Sequence, residues 1–152
     1  MKIDPQKTQL LCISTAGMPL VKSFIRVDGE KIKSGEKMKI CGYTFDSRPG
    51  VSAQVEVMEK KINEREWFLR NLKQSGVEQQ DLVTAYKSMV RQIFDFTAPV
   101  YHSLLTEQQS KLLERLQNRA LTIITGNTGM AGTNRSDLNI SCLQDRRLEL
   151  RY

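Results

Sequence analysis

At Arg48, Pro49 and Gly50 the hydrophobic period of the chain changes, and with it the kind of structure that can bury its apolar residues. Beyond this break Val55, Met58, Ile62, Leu69 and Leu72 recur at spacings of three, four or seven, the mark of a helix with one apolar face. Gly76 stands where a helix is closed by a left-handed residue. A second helix is predicted from Leu82, Tyr86, Met89, Val90 and Ile93. It should stop near Thr97, because Pro99 disfavours helical geometry in the residue before it. Thr106 and Gln109 fit a capping box that opens a third helix, lined by Leu112, Leu113, Leu116, Ala120, Ile123 and Ile124 and ended by Gly126. Val51 to Gly126 therefore reads as three amphipathic helices, with Trp67 and Phe68 expected in the core between them.

Before the break the pattern is that of strands. Thr8 to Ser14 is a short apolar run, and Ala16 to Pro19 breaks it. Phe24 to Val27 and Glu30 to Ile32 flank Asp28 and Gly29, the dipeptide favoured in a type I′ hairpin turn. Met38 to Phe45 predicts one further strand, with Gly42 inside it as a bulge or a close backbone approach. Asn127 to Ser136 is rich in Gly, Asn and Thr and reads as a loop. A tail follows that is helical at its end. The expected fold is α+β: short antiparallel strands in residues 1–50, a three-helix bundle in 51–126, then a linker and C-terminal tail in 127–152.

With 39% hydrophobic and 26% charged residues the 152-residue chain is globular in composition rather than disordered. No apolar run approaches a membrane span, and Met1 to Pro5 lacks the apolar region of a signal peptide. Cys12, Cys41 and Cys142 are far apart and form no CxxC pair, which suits reduced thiols in the cytoplasm or nucleus. The net charge of +6 and pI of about 9.3 suit a polyanionic partner, or simply a basic soluble protein.

Catalytic side chains are scarce. His102 is the sole histidine, with no carboxylate pair placed to orient it. Asp4, Asp28 and Asp46 are isolated, so the paired carboxylates of two-metal phosphoryl transfer cannot be assembled. No catalytic residue, metal ligand or cofactor is expected. The basic residues say more. Lys60, Lys61, Arg65, Arg70 and Lys73 scatter around the first helix, whereas Lys87 and Arg91, then Lys111, Arg115 and Arg119, recur four apart on one face. Such rows suit a phosphate backbone, which demands charge and reach, and equally a solvated helix surface.

The order of short segments resembles a known family. Met1 to Ser14 looks like the "N-P-x-K-T" stretch and palm strand that follow the catalytic aspartate box in reverse transcriptases of non-LTR retrotransposons. Cys41 to Asp46 resembles the "LG-V-x-L-D" strand of the primer grip. Tyr86 to Arg91 resembles the "Y-K-S-x-V-R" thumb helix, and Pro99 to His102 the "P-V-W-x" turn. Leu113 to Leu121 is similar to "L-E-x-x-Q-x-R-A-L", and Leu143 to Arg147 to the "L-x-x-R-R" tail. Asp4, Cys41 and Tyr101 depart from the usual Asn, Leu and Trp.

The resemblance spans Lys2 to Leu150 and implies a palm edge followed by a thumb-like helical module. The family's activity is RNA-directed DNA synthesis with magnesium. Its two aspartate motifs would lie upstream of Met1, so the resemblance implies a truncated copy or partial gene model, without polymerase activity alone. It places Lys7 near an incoming nucleotide's phosphates and Gly42 against the primer end. It places Lys87, Arg91, Arg115 and Arg119 against an RNA–DNA or DNA duplex. The competing expectation is a structural or protein-interaction helical unit that self-associates through exposed palm surface.

Overall fold

The computed structural model describes residues 3–14, 23–127 and 131–150, with 131–133 as backbone only. Strands come first and helices follow, as expected. The chain divides into two compact units, Met1–Gln54 and Val55–Tyr152, and the second takes in the tail as well as the helices. The expected breaker at Ala16 to Pro19 lies outside the described residues.

In the first unit Asp4 caps a 3₁₀ turn, Pro5–Lys7, by accepting from the Gln6 backbone N–H at 3.0 Å. β1 (Leu10–Leu11) follows, then β2 (Phe24–Val27) and β3 (Glu30–Gly35). Asp28 and Gly29 both have positive φ, 48° and 85°, and the β2–β3 pairing is antiparallel, so the predicted hairpin is present. β1 instead pairs parallel to β3, Leu10 opposite Ser34. The reason is topological: β2 lies between them in sequence, and it is this long connection that brings β1 alongside in the same direction.

The single strand expected over Met38 to Phe45 is two. β4 (Lys37–Ile40) and β5 (Tyr43–Asp46) pair antiparallel around Cys41 and Gly42, at φ 47° and 83°. Gly42 is thus the second residue of a tight turn rather than a bulge. The hairpin brings the rings of Tyr43 and Phe45 to 4.7 Å on one face. Gln54, buried at the start of the first helix, accepts from the Thr44 backbone N–H at 2.9 Å. Ile13, Phe24, Ile25 and Ile40 remain exposed.

The long helix α1 spans Ser52–Gln74. It ends as Gly76 predicts: at φ 79°, with Val77 N–H bonded to Leu72 C=O and Gly76 N–H to Lys73 C=O, a Schellman closure. Val55, Met58, Ile62 and Leu69 are buried, but Trp67 is 65% exposed and Phe68 is exposed too, against expectation. At 3.6 residues per turn neither falls on the buried line, which passes through Glu66 instead.

The second predicted helix is a composite of α2 (Gln79–Tyr86), a π turn (Lys87–Arg91) and α3 (Gln92–Asp95). Its buried line runs Leu82, Tyr86, Val90, Phe94, four apart throughout, so Phe94 takes the place expected of Ile93. The wider π turn keeps this spacing on one face, where a pure α-helix would drift. The helix stops before Thr97 as expected, and the turn expected at Pro99 to His102 is built as α4 (Ala98–Tyr101) and a 3₁₀ turn (His102–Leu104), with Pro99 in the first turn. The Tyr101 hydroxyl reaches back to the Phe94 carbonyl at 2.8 Å.

α5 (Glu107–Thr125) carries the predicted capping box at both contacts and ends at Gly126, φ 73°. It is the central element of this unit. Lys73 of α1 donates to the Ile123 carbonyl at 2.7 Å on one side, and the tail packs on the other. The loop expected over Asn127 to Ser136 contains a helix, α6 (Ala131–Asp137). Tertiary contacts override its weak propensity: buried Asn134 donates to the Asn127 carbonyl at 3.1 Å, and Arg135 pairs with Glu114 at 3.2 Å. α7 (Leu143–Glu149) is the predicted helical end of the tail.

Candidate nucleic-acid interface

The tail is fixed to α5 by Glu114 and Gln117. One Glu114 carboxylate oxygen accepts the backbone N–H groups of Leu143 and Gln144, at 2.6 and 3.2 Å, and so caps α7. The buried Gln117 amide accepts from the Tyr86 hydroxyl at 3.1 Å and donates to the Ser141 carbonyl at 3.2 Å. Burial pushes the Tyr86 hydroxyl pKa well up, so it stays a donor. Between α6 and α7 the chain reverses at Asn139, φ 49°. Ile140 N–H bonds to Arg135 C=O and Asn139 N–H to Ser136 C=O, the same closure that Gly76 makes.

This reversal faces the π turn across a cleft of about 320 Å³, lined by Lys87, Arg91, Asp95, Asn139, Ser141 and Arg146. Two further hollows adjoin Asn139, of about 650 and 420 Å³. Arg91, only 11% exposed, is held by the tail: its guanidinium donates to Ser141 Oγ at 2.8 Å and to the Ser141 carbonyl at 3.2 Å. Asp95 Oδ2 accepts from Arg146 Nε at 3.2 Å, and Asp95 Oδ1 lies 3.9 Å from Arg91 Nε. Lys87 is exposed at the mouth. The Glu149 hydrogen bond and the Asp95 charge raise the pKa of Arg146.

The structure brings Lys87 and Arg91 together here and separates the other predicted residues. Arg115 is exposed on α5. Arg119 reaches across to α1, where its Nε lies 2.6 Å from the Glu66 carboxylate and its Nη2 donates to Asn63 Oδ1. Glu66 is buried, so this pair is part of the core's edge. Lys7 sits exposed in its 3₁₀ turn, 3.9 Å from Asp4, and Gly42 at a hairpin tip. Lys111 pairs with Glu107 at 2.6 Å.

Arg146, Asn139 and Ser141 were not singled out in the sequence. The adjacent arginines of the tail gave the one signal, and the structure divides them. Arg146 opens on the cleft, while Arg147 is buried with Nη2 on Ser110 at 2.8 Å. Among the described residues no group of three His, Cys, Asp or Glu side chains could hold a metal ion. No described helix is long and apolar enough to cross a membrane. No protein-family model matches the chain, and no curated protein or solved structure matches it.

Proposed function

We propose that this is a reverse-transcriptase-related chain of the non-LTR retrotransposon type, with a thumb-like helical unit that binds the phosphate backbone of an RNA–DNA or DNA duplex. It has no polymerase activity by itself and works in the cytoplasm or nucleus. The observation that carries the reading is the basic cleft at the π turn: Lys87, Arg91 and Arg146 stand there against one carboxylate, Asp95. A π turn inside an α-helix is often found at functional sites. Arg115, and the exposed part of Arg119, add contacts along α5. The order of family-like segments supports the same reading, and Lys7 and Gly42 are its palm-edge contacts.

Fluorescence anisotropy with an RNA–DNA duplex at two salt concentrations tests it. Three or four neutralised phosphates predict a slope of log K against log salt of roughly −3. Absence of binding at low salt would sink the proposal.

A second reading is favoured by the first unit, where Ile13, Phe24, Ile25 and Ile40 are all exposed. Apolar surface of this kind drives self-association. A concentration-dependent oligomer in light scattering, indifferent to added duplex, would favour a structural or interaction role instead.

A further inference from the structure

We infer that the cleft between the π turn and the Asn139 reversal is a seat for a phosphomonoester, the terminal phosphate of a nucleotide or of a nucleic-acid strand. The charge fits a dianion. Three cations line the cleft against the single carboxylate of Asp95, which leaves a local charge of +2. A phosphomonoester carries about −1.5 to −2 at pH 7, whereas a backbone diester carries only one charge. Glu149 touches Arg146 from outside the cleft and is 58% exposed, so water screens it.

The donors are held in place before any ligand arrives. Asp95 orients both guanidinium groups, and Ser141 holds Arg91 by two bonds. Such fixed, partly desolvated donors bind a phosphate more strongly than mobile surface lysines, because less side-chain freedom is lost. Lys87, exposed where it lines the cleft, supplies the third cation. The hollow, about 320 Å³ and open to solvent, has room for a phosphate ester. A duplex flank offers single-charged diesters to the rim of the cleft, where Lys87 and Arg146 can meet them, whereas a strand end can also place a doubly charged phosphomonoester inside it. The choice of a nucleotide over other phosphate esters rests on the nucleic-acid reading above, whereas the phosphate seat stands without it.

The test is an NMR titration of the whole chain, following backbone amides of the π turn and of residues 139–146. Inorganic phosphate, thymidine 5′-monophosphate, thymidine 3′,5′-cyclic monophosphate and thymidine are the probes. The 5′-monophosphate should bind at least tenfold tighter than the cyclic diester, and thymidine should not shift these amides. Lys87→Gln and Arg146→Gln, both at solvent-reached positions, should each weaken monophosphate binding about tenfold with unchanged circular dichroism. Equal affinity for monophosphate and cyclic diester, or binding untouched in both variants, would overturn the inference.

A 5′-phosphorylated DNA strand is then compared with its 5′-hydroxyl twin. Preference for the phosphorylated strand assigns a strand end as the source. No preference, with the free monophosphate still bound, supports the seat and assigns a free phosphate. Duplex binding without any monophosphate binding overturns the seat and leaves the backbone reading standing. Monophosphate binding without duplex binding does the reverse.

Discussion

Arg119 shows how a residue that looks like a ligand contact can have its main role inside the molecule. Its guanidinium neutralises Glu66, a carboxylate whose side chain is 3% exposed. Arg70 also approaches Glu66, at 3.5 Å, but from an exposed position and at the limit of a hydrogen bond. Arg119→Ala therefore leaves a buried charge poorly paired. It should cost about 2–3 kcal/mol, less than a fully buried pair would because Arg119 itself is half-exposed. Thermal unfolding checks this: in a unit of about a hundred residues the loss corresponds to a Tm drop of roughly 10 °C or more. An unchanged Tm would return Arg119 to the surface. Gly126 makes a smaller case of the same kind. Its φ of 73° disfavours any side chain, and a Cβ there would lie 2.8 Å from Lys73 Nζ, which caps α5. Gly126→Ala should cost about 1 kcal/mol by equilibrium denaturation, since the lysine end can move aside and the backbone strain cannot. The glycine was legible in the sequence as a helix end. The role of Arg119 was not, because a four-residue spacing shows which side chains share a face and not what lies opposite.

Elements were legible where local chemistry is self-sufficient. The Asp28–Gly29 hairpin, the Thr106–Gln109 capping box and the Gly76 closure each carry their own hydrogen bonds, and all three are present. Elements that depend on distant partners were not legible. α6 forms in a segment rich in Gly, Asn and Thr because Asn134 and Arg135 find partners outside it. The π turn has no sequence signature either, and yet it shapes the cleft. Glu114 is the residue through which α5 recruits the tail, with three contacts to α6 and α7. Glu114→Gln removes the charge that holds Arg135 and caps α7. The expected result is local: amides from Leu143 to Leu150 exchange hydrogen at least tenfold faster, while those of α1 keep their protection. Uniform loss of protection across both helices would show that the tail is not a separable element. The cleft needs the tail in place, so the same variant should also weaken phosphate binding.

At the scale of the whole molecule the tyrosines set the response to alkali. Tyr43 in the first unit and Tyr86 and Tyr101 in the second all have pKa values raised above the usual phenol value, in each case chiefly because burial disfavours the anion. Tyr86 and Tyr101 are fully buried, with hydroxyls donated to Gln117 and to the Phe94 carbonyl. The unfolded chain releases these protons near pH 10, while the folded chain holds them to higher pH. Over that interval the unfolded state binds fewer protons, so stability falls as pH rises. Below about pH 9 both states are protonated and the contribution is constant. Chemical denaturation from pH 7 to 11 should therefore give a plateau up to about pH 8, a slight decline as the unfolded chain releases the Cys142 thiol proton that burial retains in the fold, and a steeper decline beyond pH 10. Tyr86→Phe should lower the plateau by about 1–2 kcal/mol, because the Gln117 acceptor loses its donor, and should also make the decline shallower. These two effects have opposite signs at high pH, so the curves of the two proteins should converge as pH rises. Parallel curves would mean that the Tyr86 proton is as easily lost in the folded protein as in the unfolded one. The hydroxyl would then be reached by water, and the chain of contacts from Tyr86 through Gln117 and Ser141 to Arg91 would not be closed.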